Sequence, residues 1–220
     1  MAATLLFDLD GTLAETDWAH LKAFEIVFAD YGLPMNAAIF NAHVLGRPNA
    51  EIGAHFFPGK SRAEQDAICD HKEAVYRTIV GSVPPLKGAV GLLDWAAAQN
   101  IACGVVTNAP RLNAMLLLEG TGLKPRFGSI VCGQELAHGK PHPLPYLTGL
   151  AELDGEAACS VAFEDSPSGL RAAVAAGLTV VGMTTNLPAE KVMAEGAALA
   201  IHDFTDPRLI PFLKDRMKLR

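Results

Sequence analysis

Short apolar runs of four to six residues recur along the chain, and each is expected to form a β-strand. The runs are TLLF (4–7), IACGVV (101–106), SIVC (129–132), CSVAF (159–163), LTVVGM (178–183) and ALAI (198–201). From the second run onward, segments with helical patterns separate them, such as RLNAMLLLEG and PSGLRAAVAAG. Continuous apolar strands that alternate with helices are typical of a parallel sheet covered on both faces. The pattern therefore predicts an α/β fold.

A long interval after the first run shows helical patterns and no comparable strand. Ser61 and Glu64 have the spacing of a capping box, which predicts a helix continuing to about Val80. An earlier helix is predicted from apolar and aromatic residues at helical spacing, Trp18, Leu21, Phe24, Phe28 and Tyr31. We therefore expect a helical domain inserted into the sheet domain.

Prolines and a glycine mark the return from this insertion to the sheet, because Pro84, Pro85 and Gly88 punctuate the chain there. The expected domains are a core of residues 1–15 and 83–220 and an insertion of residues 16–82. Hinges are expected near Ala14–Thr16 and Gly81–Pro85.

Composition restricts the classes of partner. The chain has 220 residues, of which 50% are hydrophobic and 19% charged, so it can bury a sizeable core. Its net charge of −6, with scattered Lys and Arg, argues against a nucleic-acid partner, whereas a bound metal could still attract a phosphorylated substrate. The four cysteines lack metal-ligand spacing and are expected to be reduced and buried. Without a membrane span or signal peptide in the sequence, we expect a cytoplasmic protein, either a monomer or a homodimer.

Polar residues follow the predicted strands where the carboxyl ends of a parallel sheet meet, which is where ligands bind in such folds. Asp8 and Asp10 directly follow the first strand, where the repulsion between two carboxylates is costly unless a cation relieves it. The other candidates at this edge are Thr107, Asn108, Lys140, Glu164 and Asp165. Together they indicate a metal or catalytic site.

Four segments, DLDGTL, VVTNAPR, GKPHP and FEDSPSG, resemble in order and spacing the four motifs of the haloacid dehalogenase (HAD) superfamily. The resemblance covers nearly the whole chain, including the helical cap inserted after the first motif. It implies a Rossmann-like parallel-sheet core and an enzyme of a group that consists mostly of Mg²⁺-dependent phosphohydrolases.

The resemblance also implies roles for the core residues. Asp8 would be the nucleophile that forms an aspartyl-phosphate. Asp10 would act as the acid and base, while its main-chain carbonyl helps to bind Mg²⁺. Thr107 and Asn108 would hydrogen-bond phosphoryl oxygens, although this pair could instead cap the helix that begins near Arg111. Lys140 would pair with the phosphate and Asp8.

The remaining implied ligands are carboxylates and cap residues. Asp165 would bind Mg²⁺ directly, and Glu164 directly or through water, since hard oxygen ligands suit Mg²⁺. In the cap, His20, Arg47 and Lys72 resemble substrate-binding residues of the β-phosphoglucomutase-like branch. They could equally be ordinary polar and charged residues of a helical domain.

The resulting expectation is an Mg²⁺-dependent phosphatase for a small phosphorylated metabolite, such as a sugar phosphate or a related phosphomonoester. A sugar phosphomutase is the alternative, although VVTNAPR resembles the phosphatase form of the second motif more closely. Dehalogenation is disfavoured because it does not need the functions that Asp10 offers. A non-catalytic, phosphate-responsive binding module is the alternative from another class.

Overall fold

In a computed structural model that describes residues 2–218, six strands form a parallel sheet. The strands are β1 (Thr4–Phe7), β2 (Ala102–Thr107), β3 (Ser129–Cys132), β4 (Val161–Glu164), β5 (Thr179–Met183) and β6 (Leu199–Ile201). Their order in the sheet is β3-β2-β1-β4-β5-β6, and all neighbouring strands pair in parallel. The predicted α/β class with a parallel sheet is confirmed, and every apolar run overlaps a strand.

Helices make up most of the remaining regular structure in the described residues. They are α1 (Asp17–Ala29), α2 (Ala37–His43), α3 (Asn49–Phe56), α4 (Arg62–Ile79), α5 (Ala89–Ala98), α6 (Arg111–Gly120), α7 (Leu144–Glu152), α8 (Pro167–Ala175), α9 (Ala189–Ala194) and α10 (Leu209–Arg216). Across these residues, no helix is both long enough and apolar enough to cross a bilayer.

The chain divides into two compact units. One consists of Met1–Glu15 with Pro84–Arg220 and contains the sheet, and the other, Thr16–Val83, contains the first four helices. We call them the core unit and the helical unit.

The helical unit has a hydrophobic core of its own. Phe24, Phe28, Phe40, Ile52 and Ile68 belong to one buried cluster to which all four of its helices contribute. The predicted capping box of α4 is confirmed, because the Ser61 side chain accepts a hydrogen bond from the Glu64 backbone and the Glu64 side chain accepts one from the Ser61 backbone. The helices α2 and α3 were not individually predicted.

In the core unit, strand register brings the functional ends of β1 and β4 together. Phe7 pairs with Phe163, and their rings stack with centroids 4.7 Å apart. The Asp8 backbone continues the ladder by donating a hydrogen bond to the Phe163 carbonyl at 3.0 Å. Consequently Asp8 and Glu164, which follow these phenylalanines, emerge side by side from the sheet.

Candidate active site

Lys140 and Asp8 form the centre of a buried ionic cluster in the core unit. The Lys140 ammonium donates to Asp8 Oδ1 at 2.6 Å, to the Val106 carbonyl at 2.7 Å and to Glu164 Oε1. The three protons of the ammonium thus have three acceptors. Because Lys140 and Asp8 are 4% and 8% exposed, water screens this interaction little. A phosphate oxygen could bind Lys140 only by replacing one of these acceptors.

Asn108 positions the Lys140 backbone. Its side-chain oxygen accepts from the Lys140 N–H at 2.9 Å, and its amide donates to the Lys140 carbonyl at 3.0 Å. Both of its polar atoms therefore already have partners, and the expected contact with a phosphoryl oxygen stays a prediction.

Thr107 lies buried at the end of β2. Its hydroxyl accepts from the Ala109 N–H at 2.9 Å, which leaves the hydroxyl proton able to donate to a ligand. The alternative that Thr107 and Asn108 cap the next helix is not observed, since the N-cap of α6 is Pro110.

Glu164 is fully buried and held from several sides. Besides Lys140, the Tyr146 hydroxyl donates to Glu164 Oε1 at 2.7 Å, and the Ser166 hydroxyl donates to Oε2 at 3.2 Å. Gly169 is needed beside this carboxylate because a Cβ there would collide with it. Glu164 is therefore held in one orientation beside Lys140.

Three carboxylates converge as a group suited to a cation. Oxygens of Asp8, Glu164 and Asp165 all lie within 4.8 Å of one another, and the three residues are buried. Lys140 can offset only one of the three negative charges. Hard, buried oxygen donors with this excess of negative charge fit a divalent cation such as Mg²⁺. Asp10 lies half-buried in the adjoining turn.

Electrostatics in the cluster favour a bound cation. Burial, reinforced by the charges of Glu164 and Asp10, raises the pKa of Asp8 to about 8 despite the opposing effect of Lys140. Burial acts to lower the pKa of Lys140, but the carboxylates of Asp8 and Glu164 outweigh it and raise that pKa above its usual value. Lys140 is thus held as the ammonium, while Asp8 needs additional positive charge to stay ionised at neutral pH.

In the helical unit, the structure brings together two of the three predicted cap residues. The Lys72 ammonium lies 3.0 Å from His20 Nδ1 and 2.8 Å from Glu73 Oε1, which also accepts from Asn49 at 2.8 Å. Lys72 and Glu73 are 3% and 5% exposed. Arg47 lies outside this cluster, where it is exposed and its guanidinium is 3.5 Å from the Ala42 carbonyl.

Sequence reasoning did not identify Tyr146, Asn49 or Glu73 as members of these clusters. Tyr146 lies on α7, six residues after Lys140, and its phenol reaches the end of β4 only in the folded protein. Glu73 directly follows Lys72 in a helix, a spacing that does not predict a side-chain pair. The burial of Lys72 and Glu73 along α4 is a property of the folded protein and gave no signal in the sequence.

Comparisons with known proteins agree with this fold. The model of the haloacid dehalogenase-like hydrolase family matches residues 5–183. A validoxylamine A 7'-phosphate phosphatase from Streptomyces hygroscopicus subsp. limoneus is 30% identical over 210 residues, covering 94% of this chain and 97% of the relative. A phosphoglycolate phosphatase from Rhodospirillum rubrum is 33% identical over 214 residues, covering 93% of this chain and 88% of the relative.

A solved structure is similar along nearly its whole length. CbbY from Rhodobacter sphaeroides in complex with phosphate superposes with a TM-score of 0.82 at 28% identity, covering 94% of this chain and 96% of that chain. The matches define a hydrolase with a parallel α/β core, related to phosphoric monoester hydrolases. The chain belongs to the haloacid dehalogenase-like hydrolase family, which confirms the resemblance inferred from its motifs.

Proposed function

We propose that this protein is an Mg²⁺-dependent phosphatase that hydrolyses a small phosphorylated metabolite through an aspartyl-phosphate on Asp8. The observation that carries the proposal is the buried group of Asp8, Glu164 and Asp165 around the Lys140 ammonium. Such a group supplies a nucleophile together with ligands for a cation, and phosphoryl transfer needs both.

The proposed reaction has two displacements. A carboxylate oxygen of Asp8 attacks phosphorus, the ester P–O bond breaks, and Asp10 gives a proton to the leaving alkoxide. Asp10 then takes a proton from water as the water oxygen attacks phosphorus, which releases phosphate and restores Asp8. Bound Mg²⁺ would neutralise charge on the phosphoryl oxygens and favour the ionised form of Asp8.

The residues around the nucleophile have complementary proposed roles. Lys140 holds Asp8 in place and contributes a fixed positive charge, while the Thr107 hydroxyl donates to a phosphoryl oxygen. The proposed ligands of Mg²⁺ are Asp8, Asp10 through its carbonyl, Glu164 and Asp165. In the helical unit, His20 and Lys72 are proposed to contact the part of the substrate that is not phosphate, and Arg47 is proposed as a further substrate-binding residue.

The named relatives support a phosphomonoester as substrate. Two are phosphatases named for validoxylamine A 7'-phosphate and phosphoglycolate, and a third was crystallised with phosphate. We propose a sugar phosphate or a related phosphomonoester for this chain and retain the expectation of a cytoplasmic location.

The decisive experiment is a screen of phosphorylated metabolites with Mg²⁺ or with EDTA, in which free phosphate and isomerised substrate are measured separately. We expect phosphate release that EDTA abolishes and Mg²⁺ restores. Isomerisation without phosphate release would favour the phosphomutase. If neither product forms across pH values and metals, a non-catalytic binding module is the better description.

Asp8→Asn tests the nucleophile directly. The amide is nearly isosteric but a far weaker nucleophile, so we expect turnover to be lost while circular dichroism stays unchanged. Asp154→Asn is the matched control, because Asp154 is exposed and its backbone φ of 52° is one that Asn tolerates. Wild-type turnover by a pure Asp8→Asn preparation would refute the assignment.

A further inference from the structure

The loop that follows β5 contacts the carboxylate cluster, although it carries none of the four motifs. Two consecutive residues of this loop, Thr185 and Asn186, are half-buried and reach different parts of the site. The Thr185 hydroxyl donates to the Gly11 carbonyl at 2.6 Å, and the Asn186 amide donates to Asp165 Oδ2 at 2.7 Å.

Asp165 is thereby held at both of its oxygens. The Thr12 hydroxyl donates to Oδ1 at 3.3 Å, and Asn186 donates to Oδ2. These two donors come from loops that follow different strands, β1 and β5, so the orientation of the carboxylate depends on both loops. Only 4% of Asp165 is exposed, which leaves little room for another orientation.

Gly11 shows how closely these loops pack. Its φ of +78° is one that favours glycine, and a Cβ at this position would overlap the Asp165 carboxylate and the Asn186 amide. The backbone of the β1 loop therefore lies directly against both side chains. Since Gly11 directly follows Asp10, the hydrogen bond from Thr185 also restrains the peptide next to the proposed carbonyl ligand.

The chemistry of the donors distinguishes Asp165 from Glu164. Glu164 accepts from the Lys140 ammonium, which offsets its charge, whereas Thr12 donates to Asp165 from a neutral hydroxyl and Asn186 from a neutral amide. Neutral donors can orient a carboxylate without cancelling its charge. Thr12 and Asn186 therefore orient Asp165 without offsetting its charge.

We infer that Thr185 and Asn186 are positioning residues that hold the Asp165 carboxylate and the Gly11 peptide in the geometry for binding Mg²⁺. The inference rests on the proposed function, since it assigns these residues to the same cation site. Groups that orient a metal ligand typically contribute about 10- to 100-fold to metal affinity or activity.

The test compares Mg²⁺ binding by isothermal titration calorimetry in the whole protein and its variants. We expect Asn186→Ala to raise the Kd for Mg²⁺ by about 10- to 100-fold, and Thr185→Val to raise it less. Thr121→Val is the matched control, because this half-buried threonine also donates to a main-chain carbonyl, that of Leu118. Thr121 is the C-cap residue of α6. Its Kd should equal that of the wild type.

Phosphate release gives a second readout. In Asn186→Ala, the Mg²⁺ concentration for half-maximal activity should rise in parallel with the Kd, while saturating Mg²⁺ restores kcat. Circular dichroism checks the folding of each variant. If Asn186→Ala does not fold, Asn186→Ser replaces it. Thr185→Val is nearly isosteric with the wild type and tests the inference independently of Asn186.

The outcomes separate this inference from the proposed function. Equal Kd values for the wild type and the Asn186 and Thr185 variants would overturn the inference while leaving a wild-type Mg²⁺-dependent phosphatase intact. A wild-type protein that neither binds Mg²⁺ nor requires it for turnover would overturn both.

Discussion

At the scale of single residues, the arrangement around Lys140 makes its ammonium a fixed charge. All three of its protons have acceptors, and Asn108 holds its backbone in two hydrogen bonds. Under the proposed function, such a lysine would lose little further freedom when a substrate binds, and its charge would already be in place for the transition state. Tyr146 extends this arrangement by fixing Glu164, the second anion that Lys140 contacts.

Tyr146→Phe should lower the free energy of unfolding by about 1.5–3 kcal/mol, the usual value of a hydrogen bond to a charged group. The ring remains to fill the same space, so packing is preserved and the loss reports on the hydroxyl. Urea unfolding in the presence of EDTA measures this change in the free energy of unfolding, and we expect the m-value to stay unchanged. Tyr31→Phe is the control, since the Tyr31 side chain is 43% exposed and should change stability by less than about 0.5 kcal/mol. Equal effects of the two substitutions would show that the hydroxyl of Tyr146 contributes nothing to stability.

At the scale of helices and strands, the sequence predicted the elements that depend on a local pattern of residues. Each apolar run overlaps a strand, and the capping box of Ser61 and Glu64 begins α4. The motif residues were found because several follow strands whose ends meet in a parallel sheet. The contacts of Tyr146, Thr185 and Asn186 were not predictable, because they join residues whose separation in sequence carries no periodic signal. Helices α5 and α10 were likewise not singled out.

Helix α4 carries a buried ion pair between Lys72 and Glu73 that makes the stability of the protein depend on pH. Burial acts to raise the pKa of Glu73, but the charges of Lys72 and His20 and hydrogen bonds from Lys72 and Asn49 outweigh it and lower that pKa below 4.5. An acid with a lowered pKa in the folded state stabilises the protein above its unfolded pKa. That stabilisation is lost as the pH falls through the folded pKa.

Glu73→Gln should therefore destabilise the protein by about 3 kcal/mol at pH 7, because it leaves the Lys72 charge buried without its carboxylate partner. The difference from the wild type should shrink as the pH falls below about 4.5, where the unfolded carboxyl binds a proton. Denaturant unfolding from pH 7 to pH 3.5 measures it. Glu25→Gln removes a surface pair with Lys22 and should cost less than about 1 kcal/mol. A difference between Glu73→Gln and wild type that is independent of pH would contradict the assigned ionisation.

At the scale of the whole molecule, the two units carry different kinds of chemistry. The core unit holds the carboxylates and Lys140, which suit the phosphoryl group, and the helical unit holds the buried Lys72 and His20 pair. A division between reaction and recognition predicts that substitutions in the helical unit change the preference among substrates. Substitutions in the core unit should impair all substrates alike, because each substrate passes through the same phosphoryl transfer.

Lys72→Met should therefore lower kcat/KM for the hydrolysed metabolite by about 10- to 100-fold, the loss expected for a hydrogen bond from a charged group. It should lower kcat/KM for p-nitrophenyl phosphate much less, since that leaving group needs little assistance. Glu73→Gln is the matched control, because it disturbs the same buried pair but keeps the Lys72 ammonium. If destabilisation of the helical unit were the cause, both variants would lose activity equally on both substrates. Equal losses by Lys72→Met on the metabolite and on p-nitrophenyl phosphate would remove Lys72 from substrate recognition and leave it as a structural partner of Glu73.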